Sequence, residues 1–170
     1  GTTGFALSGA DLASIDAPEL VIGSNLHAGA IRVVAAVGRD GNLTLQNDGG
    51  NGGIDLQAAL NVGSHTLALS SGGSIVQTSA GAITAHSLLA RAGGSVLLAS
   101  ANNNVAATTL AGSAGGDFEY QDVDALAIGN VSALGMDAGS NGLSGVGASG
   151  ISAAGDVFVE KGFRDATVAE

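Results

Sequence analysis

Bulky apolar residues recur through the middle of the chain at a near-constant spacing of about 21 residues. Four such columns can be traced, and their members are Ile54, Ile75, Val96 and Phe118; Val62, Ile83, Val105 and Leu126; Leu67, Leu88, Leu110 and Val131; and Leu56, Leu98 and Tyr120, the last interrupted by Gln77. A fixed period of this length is typical of stacked units that bury their apolar faces only against one another. The pattern therefore predicts a β-solenoid in which each repeat forms one coil.

Within each repeat, apolar residues alternate with polar or small residues, as in strands that have one buried face. Three short strands and the corners between them account for the roughly 21–24 residues of a repeat. Gly pairs or Gly-Ser recur at one corner, where they allow stacked backbones to approach closely. We therefore predict an all-β, right-handed parallel β-helix of about seven coils, roughly 35 Å tall at the ~4.8 Å spacing of neighbouring strands.

The division of the chain follows from this periodicity. Regular coils are predicted over 31–135, a thin or irregular coil over the Gly- and Ser-rich 137–150, and a last coil over 151–170. We interpret residues 1–170 as a single segment of a longer β-helix, because a solenoid needs polar capping repeats and neither end of this one has an obvious cap.

Both ends of the periodic region carry looser signals. Phe5 and Ile31 extend the Ile54 column upstream, and Val157 extends the Phe118 column downstream at a spacing too short for two full coils. One helical turn is predicted within residues 10–20, and nothing else in the sequence indicates a helix.

Composition narrows the classes of partner. The formal charge is -10 and only five residues are Lys or Arg, so clustered cations for a nucleic-acid backbone are lacking, and nucleic acid is not an expected partner. No apolar run is long enough for a spanning helix of roughly 18 residues, so we expect no membrane insertion. The absence of Cys excludes disulfides and thiolate metal sites.

Three strings of the sequence resemble the shaft of filamentous haemagglutinin-like exoproteins: APELVIGSNLHAGAIRVV, NLTLQNDGGNGGIDLQAALNVGSHTLALSSGGSIVQT and ITAHSLLARAGGSVLLASANNNVAATTLAGSAGGDF. The resemblance covers residues 12 to about 135. It implies a right-handed parallel β-helix, two-partner secretion through a dedicated outer-membrane partner, and a secreted or cell-surface location on a Gram-negative bacterium. It also implies a role in adhesion, aggregation or toxin presentation.

The leading hypothesis is a non-enzymatic shaft segment that extends and displays binding or effector regions, with host or bacterial surface glycans or proteins as partners. An alternative is a self-assembling extracellular fibre. A second alternative is a β-helix that binds or cleaves polysaccharides. We predict no catalytic or cofactor-binding residues, because no carboxylate lies within reach of Arg91 by register and paired acids for glycoside chemistry are not evident.

The acidic strand near residue 120 offers the strongest candidate for a metal site. If Phe118 points inward, Asp117 and Glu119 face outward, and Asp122 and Asp124 lie at the following corner. Carboxylates that converge within a few ångströms could hold Ca²⁺, which takes six to eight oxygen ligands. The favoured interpretation is nevertheless a solvated acidic face with no cofactor, and calcium is the one alternative that the sequence suggests.

Other polar residues receive structural interpretations. Gln77 lies in an inward column, so its amide should hydrogen-bond a corner backbone group. His65 and His86 fall near the same corner one coil apart, as a weak metal or pH-sensitive pair or, more simply, as exposed histidines. The string NDGGNGGIDL approximates a calcium-binding repeat with Asp55 one residue late, and we interpret it as a Gly-rich corner.

Overall fold

The structure is a computed structural model that describes residues 7–100 and 102–161. In chain order, its elements are α1 (Gly9–Ala13), β1 (Glu19–Ser24), β2 (Ile31–Val33), β3 (Val37–Gly38), β4 (Asn42–Asn47), β5 (Ile54–Leu56), β6 (Leu60–Asn61), β7 (Thr66–Ser71), β8 (Ile75–Gln77), β9 (Ile83–Ala92), β10 (Val96–Leu98), β11 (Asn104–Ala114), β12 (Phe118–Asp122), β13 (Asn130–Asp137), β14 (Gly142–Ser149), β15 (Ile151–Ala153) and β16 (Val157–Lys161).

Two parallel sheets run the length of the molecule and form a β-solenoid. Sheet A has the order β1-β4-β7-β9-β11-β15, and the short strands β3 and β6 join it beside the first half of β9. Sheet B has the order β2-β5-β8-β10-β12-β16. The predicted all-β solenoid is thus confirmed.

The number of coils is smaller than predicted. Four coils contribute three strand segments each: β1 to β3; β4 to β6; β7, β8 and the first half of β9; and the rest of β9, β10 and the start of β11. Two further levels contribute two named strands each, the rest of β11 with β12, and β15 with β16. The prediction of about seven coils was too high because two stretches counted as coils are placed elsewhere: residues before β1 form α1, and residues 130–149 leave the stack.

Most of the predicted columns are present. Ile31, Ile54, Ile75, Val96, Phe118 and Val157 follow one another in register along sheet B. Leu20, Leu43, Leu67, Leu88 and Leu110 do so along sheet A. Leu56 pairs with Gln77 and Leu98 with Tyr120 in the column that Gln77 interrupts. The prediction for Phe5 lies outside the described residues.

The column assigned to Val62, Ile83, Val105 and Leu126 was wrong in its register. Ile83 pairs with Leu60, and Val105 pairs with Ala85. At the step from Ile83 to Val105, the reason is a polar residue in the interior: the side chain of Asn103 accepts a hydrogen bond from the N–H of Ile83 and is fully buried there. The next coil is therefore shifted relative to the spacing of its bulky apolar residues.

Residues 130–149 contain an antiparallel hairpin of β13 and β14. Val131, predicted to stack on Leu110, and the irregular coil predicted over 137–150 are both placed differently, because this segment lies on the outside of sheet A. The spacing between Phe118 and Val157 is therefore one coil plus the hairpin. That explains why the downstream spacing fits neither one coil nor two.

The predicted helical turn is confirmed as α1. Ser8 and Asp11 form a capping box, in which the Ser8 side chain accepts a hydrogen bond from the Asp11 backbone N–H and the Asp11 carboxylate accepts one from that of Ser8. Such a box supplies partners for backbone N–H groups at a helix start. No helix in the described part of the chain is long and apolar enough to cross a membrane.

The core lies inside the coils and consists mainly of Leu, Ile and Val, with Phe118 and Tyr120 as its largest members. The corners remain narrow enough for stacking because glycines lie over one another. A Cβ added at Gly93 would collide with the carbonyl oxygen of Gly72 one coil below. This close approach accounts for the recurrence of glycine at that corner.

Candidate functional site

The four acidic residues named as weak calcium candidates face different directions in and around β12. Burial alternates along β12, so Phe118, Tyr120 and Asp122 face the interior while Glu119 is only partly covered. Asp117 and Asp124 are exposed on either side of the strand. Among the described residues there is no group of three or more acidic or histidine side chains that could hold a metal ion.

Asp122 was expected at the corner that follows the strand, but it is the last residue of β12 and its side chain faces the interior. Its carboxylate is fully buried and accepts hydrogen bonds from the hydroxyl of Tyr120 at 2.7 Å and from the backbone N–H groups of Val105 and Asp124 at 2.9 Å each. Burial raises the pKa of the Tyr120 phenol above its ordinary value, and the hydrogen bond to Asp122 adds to that rise. From the interior of the solenoid, Asp122 therefore stabilises the corner that follows β12.

Asp117 also has a structural partner. Its carboxylate accepts a hydrogen bond from the backbone N–H of Asp156 at 3.0 Å, and its own N–H donates to the hydroxyl of Ser95 at 3.1 Å. These two contacts connect Asp117 to the corner of the coil above and to that of the coil below. The carboxylates of Asp117 and Asp122 thus accept hydrogen bonds at two different corners, one before β12 and one after it.

A second buried polar group joins three successive coils. Asn103 donates to the carbonyl oxygens of Leu98 and Gln121 and accepts from the N–H of Ile83. Gln77 donates to Asn103 Oδ1 and to the carbonyl of Gly81, each at 2.6 Å. The predicted bond from Gln77 to a corner backbone group is confirmed. The role of Asn103 was missed, and the available signal was a polar residue at the level of the inward Ile83.

The histidines and the Gly-rich corner are placed as follows. His86 donates its backbone N–H to the carbonyl of His65, so the two residues lie at neighbouring corners. The His65 imidazole lies 2.7 Å from a carboxylate oxygen of Asp40. Asp55 accepts a hydrogen bond from Gln57 on the outer face of sheet B.

The hairpin is the feature that most distinguishes this solenoid from a plain stack. β13 lies against sheet A strands of five successive levels of the stack, β1, β4, β7, β9 and β11, which are numbered below as the first to the fifth coil. The outer face of sheet A carries a row of small or apolar residues there, and the hairpin covers it. The resulting second core contains Ala68, Leu89, Ala111, Val131 and Val146, with Ala133 and Ala148 packed against them.

Hydrogen bonds fix the far end of the hairpin to the first two coils. The Thr44 hydroxyl donates to the carbonyl of Leu134 at 2.6 Å, and the N–H of Met136 donates to Gln46 Oε1 at 2.8 Å. Asn25 donates to the Asp137 carboxylate at 2.9 Å and to the carbonyl of Met136 through its backbone N–H. The bond from Asn25, followed by that from Ser140, lowers the pKa of Asp137.

Shallow, open clefts lie on the surface of the described part of the chain. One, of about 370 Å³, is lined by uncharged residues of the corner after β8 and β10, including Thr78, Leu97 and Asn102. Another, of about 490 Å³, lies between α1 and β3 and contains Arg39, whose Nη1 is buried without a hydrogen-bond partner among the described residues. The first cleft has no carboxylate in its lining, whereas the second is lined by Asp16 and Asp40 beside Arg39, two carboxylates and a cation of the kind that a polysaccharide-cleaving site needs.

In comparisons with known proteins, no family model, no curated protein and no solved structure matches the chain.

Proposed function

We propose that this chain is a structural shaft segment of a secreted or cell-surface filamentous protein, whose role is to extend and to display binding or effector regions carried elsewhere. The observation that carries the proposal is a linear stack of parallel coils with edges that can accept more coils. The resemblance to filamentous haemagglutinin-like exoproteins supports an adhesin-like protein exported through an outer-membrane secretion partner of a Gram-negative bacterium.

Both ends of the described stack support this proposal. At one end, β1 and β2 are the terminal strands of the two sheets in the described part of the chain, and Leu20 and Ile31 are only partly buried. At the other end, β15 and β16 are terminal, and Val157 is 51% exposed although it continues the Phe118 column. Each end thus presents a strand edge beside an apolar interior, which is the surface that another coil would cover.

The mechanism we propose is templated folding. Each coil docks on the previous one through parallel ladders and through a few buried side chains, each contributing roughly 1.5 to 3 kcal/mol. A coil with no neighbour cannot bury its apolar face, so nothing offsets the conformational entropy that it loses on ordering. Docking on an existing end supplies that burial, so growth there needs no external energy source.

The test uses the longer secreted polypeptide in which this segment lies. We expect that deleting residues 19–161 leaves export and ligand binding intact and moves the downstream region closer to the cell surface by about 30 Å, from six levels at ~4.8 Å each. Distance can be read by immunogold labelling of a downstream epitope. Loss of ligand binding with an unchanged epitope distance would refute the shaft role.

A second candidate function, a self-assembling extracellular fibre, is favoured by the same exposed end. Val157 and Phe158 of β16 are both more than half exposed, and end-to-end pairing would cover β16. Light scattering of the isolated chain separates the two functions. Particles that grow with concentration, and that Val157→Lys abolishes, would favour the fibre; a monomer at all concentrations would favour the shaft.

A further inference from the structure

The hairpin interrupts a path that would otherwise continue directly into the next coil. The N–H of Gly150 donates to the carbonyl of Gly129 at 2.7 Å, so the chain leaves and re-enters the stack at adjacent positions. Where the chain leaves the stack, the N–H of Leu110 donates to the carbonyl of Ala127 and the carbonyl of Leu110 accepts from the N–H of Gly129. Where the chain returns, the N–H of Gly112 donates to the carbonyl of Gly150. Between these points β13 and β14 form an antiparallel ladder of their own, separate from both sheets of the described solenoid.

From this base the hairpin extends backwards over the coils that precede it in the sequence. Its base lies beside the fifth coil, at Leu110 and Gly112, and its tip reaches Asn25 in the first. In a plain solenoid each coil contacts only its neighbours, so stability is transmitted one interface at a time. Here a single element contacts the first and the fifth coil together.

We propose that the hairpin is an axial clasp that couples the first coil directly to the fifth, so that the five coils open as one cooperative unit. The tip contacts are specific: Asn25 uses its side-chain N–H, its side-chain oxygen and its backbone N–H on residues 136 to 138. Because the tip has no counterpart to bind until the first two coils exist, the clasp closes only on a stack that has already formed.

Two glycines of the hairpin provide a matched test. A Cβ at Gly135 would lie 2.8 Å from Gln46 Oε1 and 2.8 Å from Val146 Cγ1, on the docked face. A Cβ at Gly145, on the opposite face, would meet nothing within 4 Å. Neither residue has a left-handed backbone, so valine is compatible with the strand conformation at both positions. Gly135→Val should therefore displace the Gln46 side chain, break its hydrogen bond to the Met136 N–H and loosen the hairpin tip, and Gly145→Val should leave the hairpin docked.

The measurement is amide hydrogen exchange of β1 in the first coil, with β10 of sheet B, which the hairpin does not cover, as an internal reference. We expect Gly135→Val to accelerate exchange in β1 at least tenfold relative to β10, and Gly145→Val to change that ratio less than twofold. Protease cleavage within 138–141 reports independently whether the hairpin has lifted.

A second variant keeps the test decisive if Gly135→Val perturbs the hairpin itself. Excision of residues 130–149, joining Gly129 to Gly150, removes the clasp and leaves the ladders of the stack intact. Acceleration of β1 exchange in the excised chain would support the coupling. Unchanged β1 exchange in either variant, with the hairpin lifted or removed, would overturn the proposal, since coupling would then pass only between neighbouring coils.

Discussion

Removal of the Asn103 side chain tests how the interior of the solenoid accommodates a polar residue. Asn103→Ala deprives three backbone groups of their partner, namely the N–H of Ile83 and the carbonyls of Leu98 and Gln121. An unsatisfied buried group costs about 1 to 3 kcal/mol, and carbonyls tolerate the loss better than N–H groups. We therefore expect the free energy of unfolding to fall by about 3 to 5 kcal/mol.

Urea unfolding followed by circular dichroism measures this change, with the midpoint shifting and the slope nearly unchanged. Asn102→Ala is the matched control, because Asn102 is exposed and its truncation should cost less than about 0.5 kcal/mol. If Asn103→Ala cost less than about 1 kcal/mol, the bonds to three coils would not be stabilising the corner, and the reasoning would be wrong.

Three further predictions concern the core and the corners. The pKa of Tyr120 is raised in the folded chain, so the neutral phenol stabilises the fold fully below about pH 10 and this stabilisation falls by about 1.4 kcal/mol per pH unit above that pH. Tyrosinate absorbance should therefore appear only when the protein unfolds in alkali, and ionisation before unfolding would contradict the burial of Tyr120. Phe118→Ala should cost about 3 to 5 kcal/mol and Phe158→Ala less than about 1 kcal/mol in the same urea assay, and equal effects would show that Phe118 is not in the core. Gly93→Ala should lower the thermal midpoint by several degrees, because its Cβ would collide with Gly72; an unchanged midpoint would exclude that close approach.

The regular part of the fold could be predicted because each coil repeats the same constraint. The same position in the interior must be filled in every coil, as it is by Ile54, Ile75, Val96 and Phe118. A period in bulky apolar residues therefore indicates the register directly. The prediction failed where a polar side chain took an apolar position. Asn103 satisfies backbone groups of three coils, and the one indication of this in the sequence is a polar residue at the level of the inward Ile83.

The hairpin could not be predicted from the same signal. Val131 and Val146 have the alternation of solenoid strands, yet they pack on the outer face of sheet A against Leu89 and Ala111. That outer face is apolar where the hairpin covers it, and two surfaces that bury each other leave no periodic pattern. The short downstream spacing before Val157 was the one indication of an excursion.

The acidic strand shows a related difficulty. Asp117, Glu119, Asp122 and Asp124 are close in sequence, and only the alternation along β12 separates them. Extending that alternation one step beyond Tyr120 would have placed Asp122 inside, where its carboxylate accepts three hydrogen bonds. The prediction ended the strand before Asp122 because charged side chains are rarely buried.

A display shaft requires that successive coils rise by a constant step along one axis. Because the chain has no Cys, pairs of spin labels can be placed at Arg32 and Glu119 and at Arg32 and Phe158, outward positions in register on sheet B. Electron–electron double resonance should give narrow distances of about 19 and 24 Å between backbone positions, four and five steps of ~4.8 Å. Distances that do not increase with the number of coils would contradict the account.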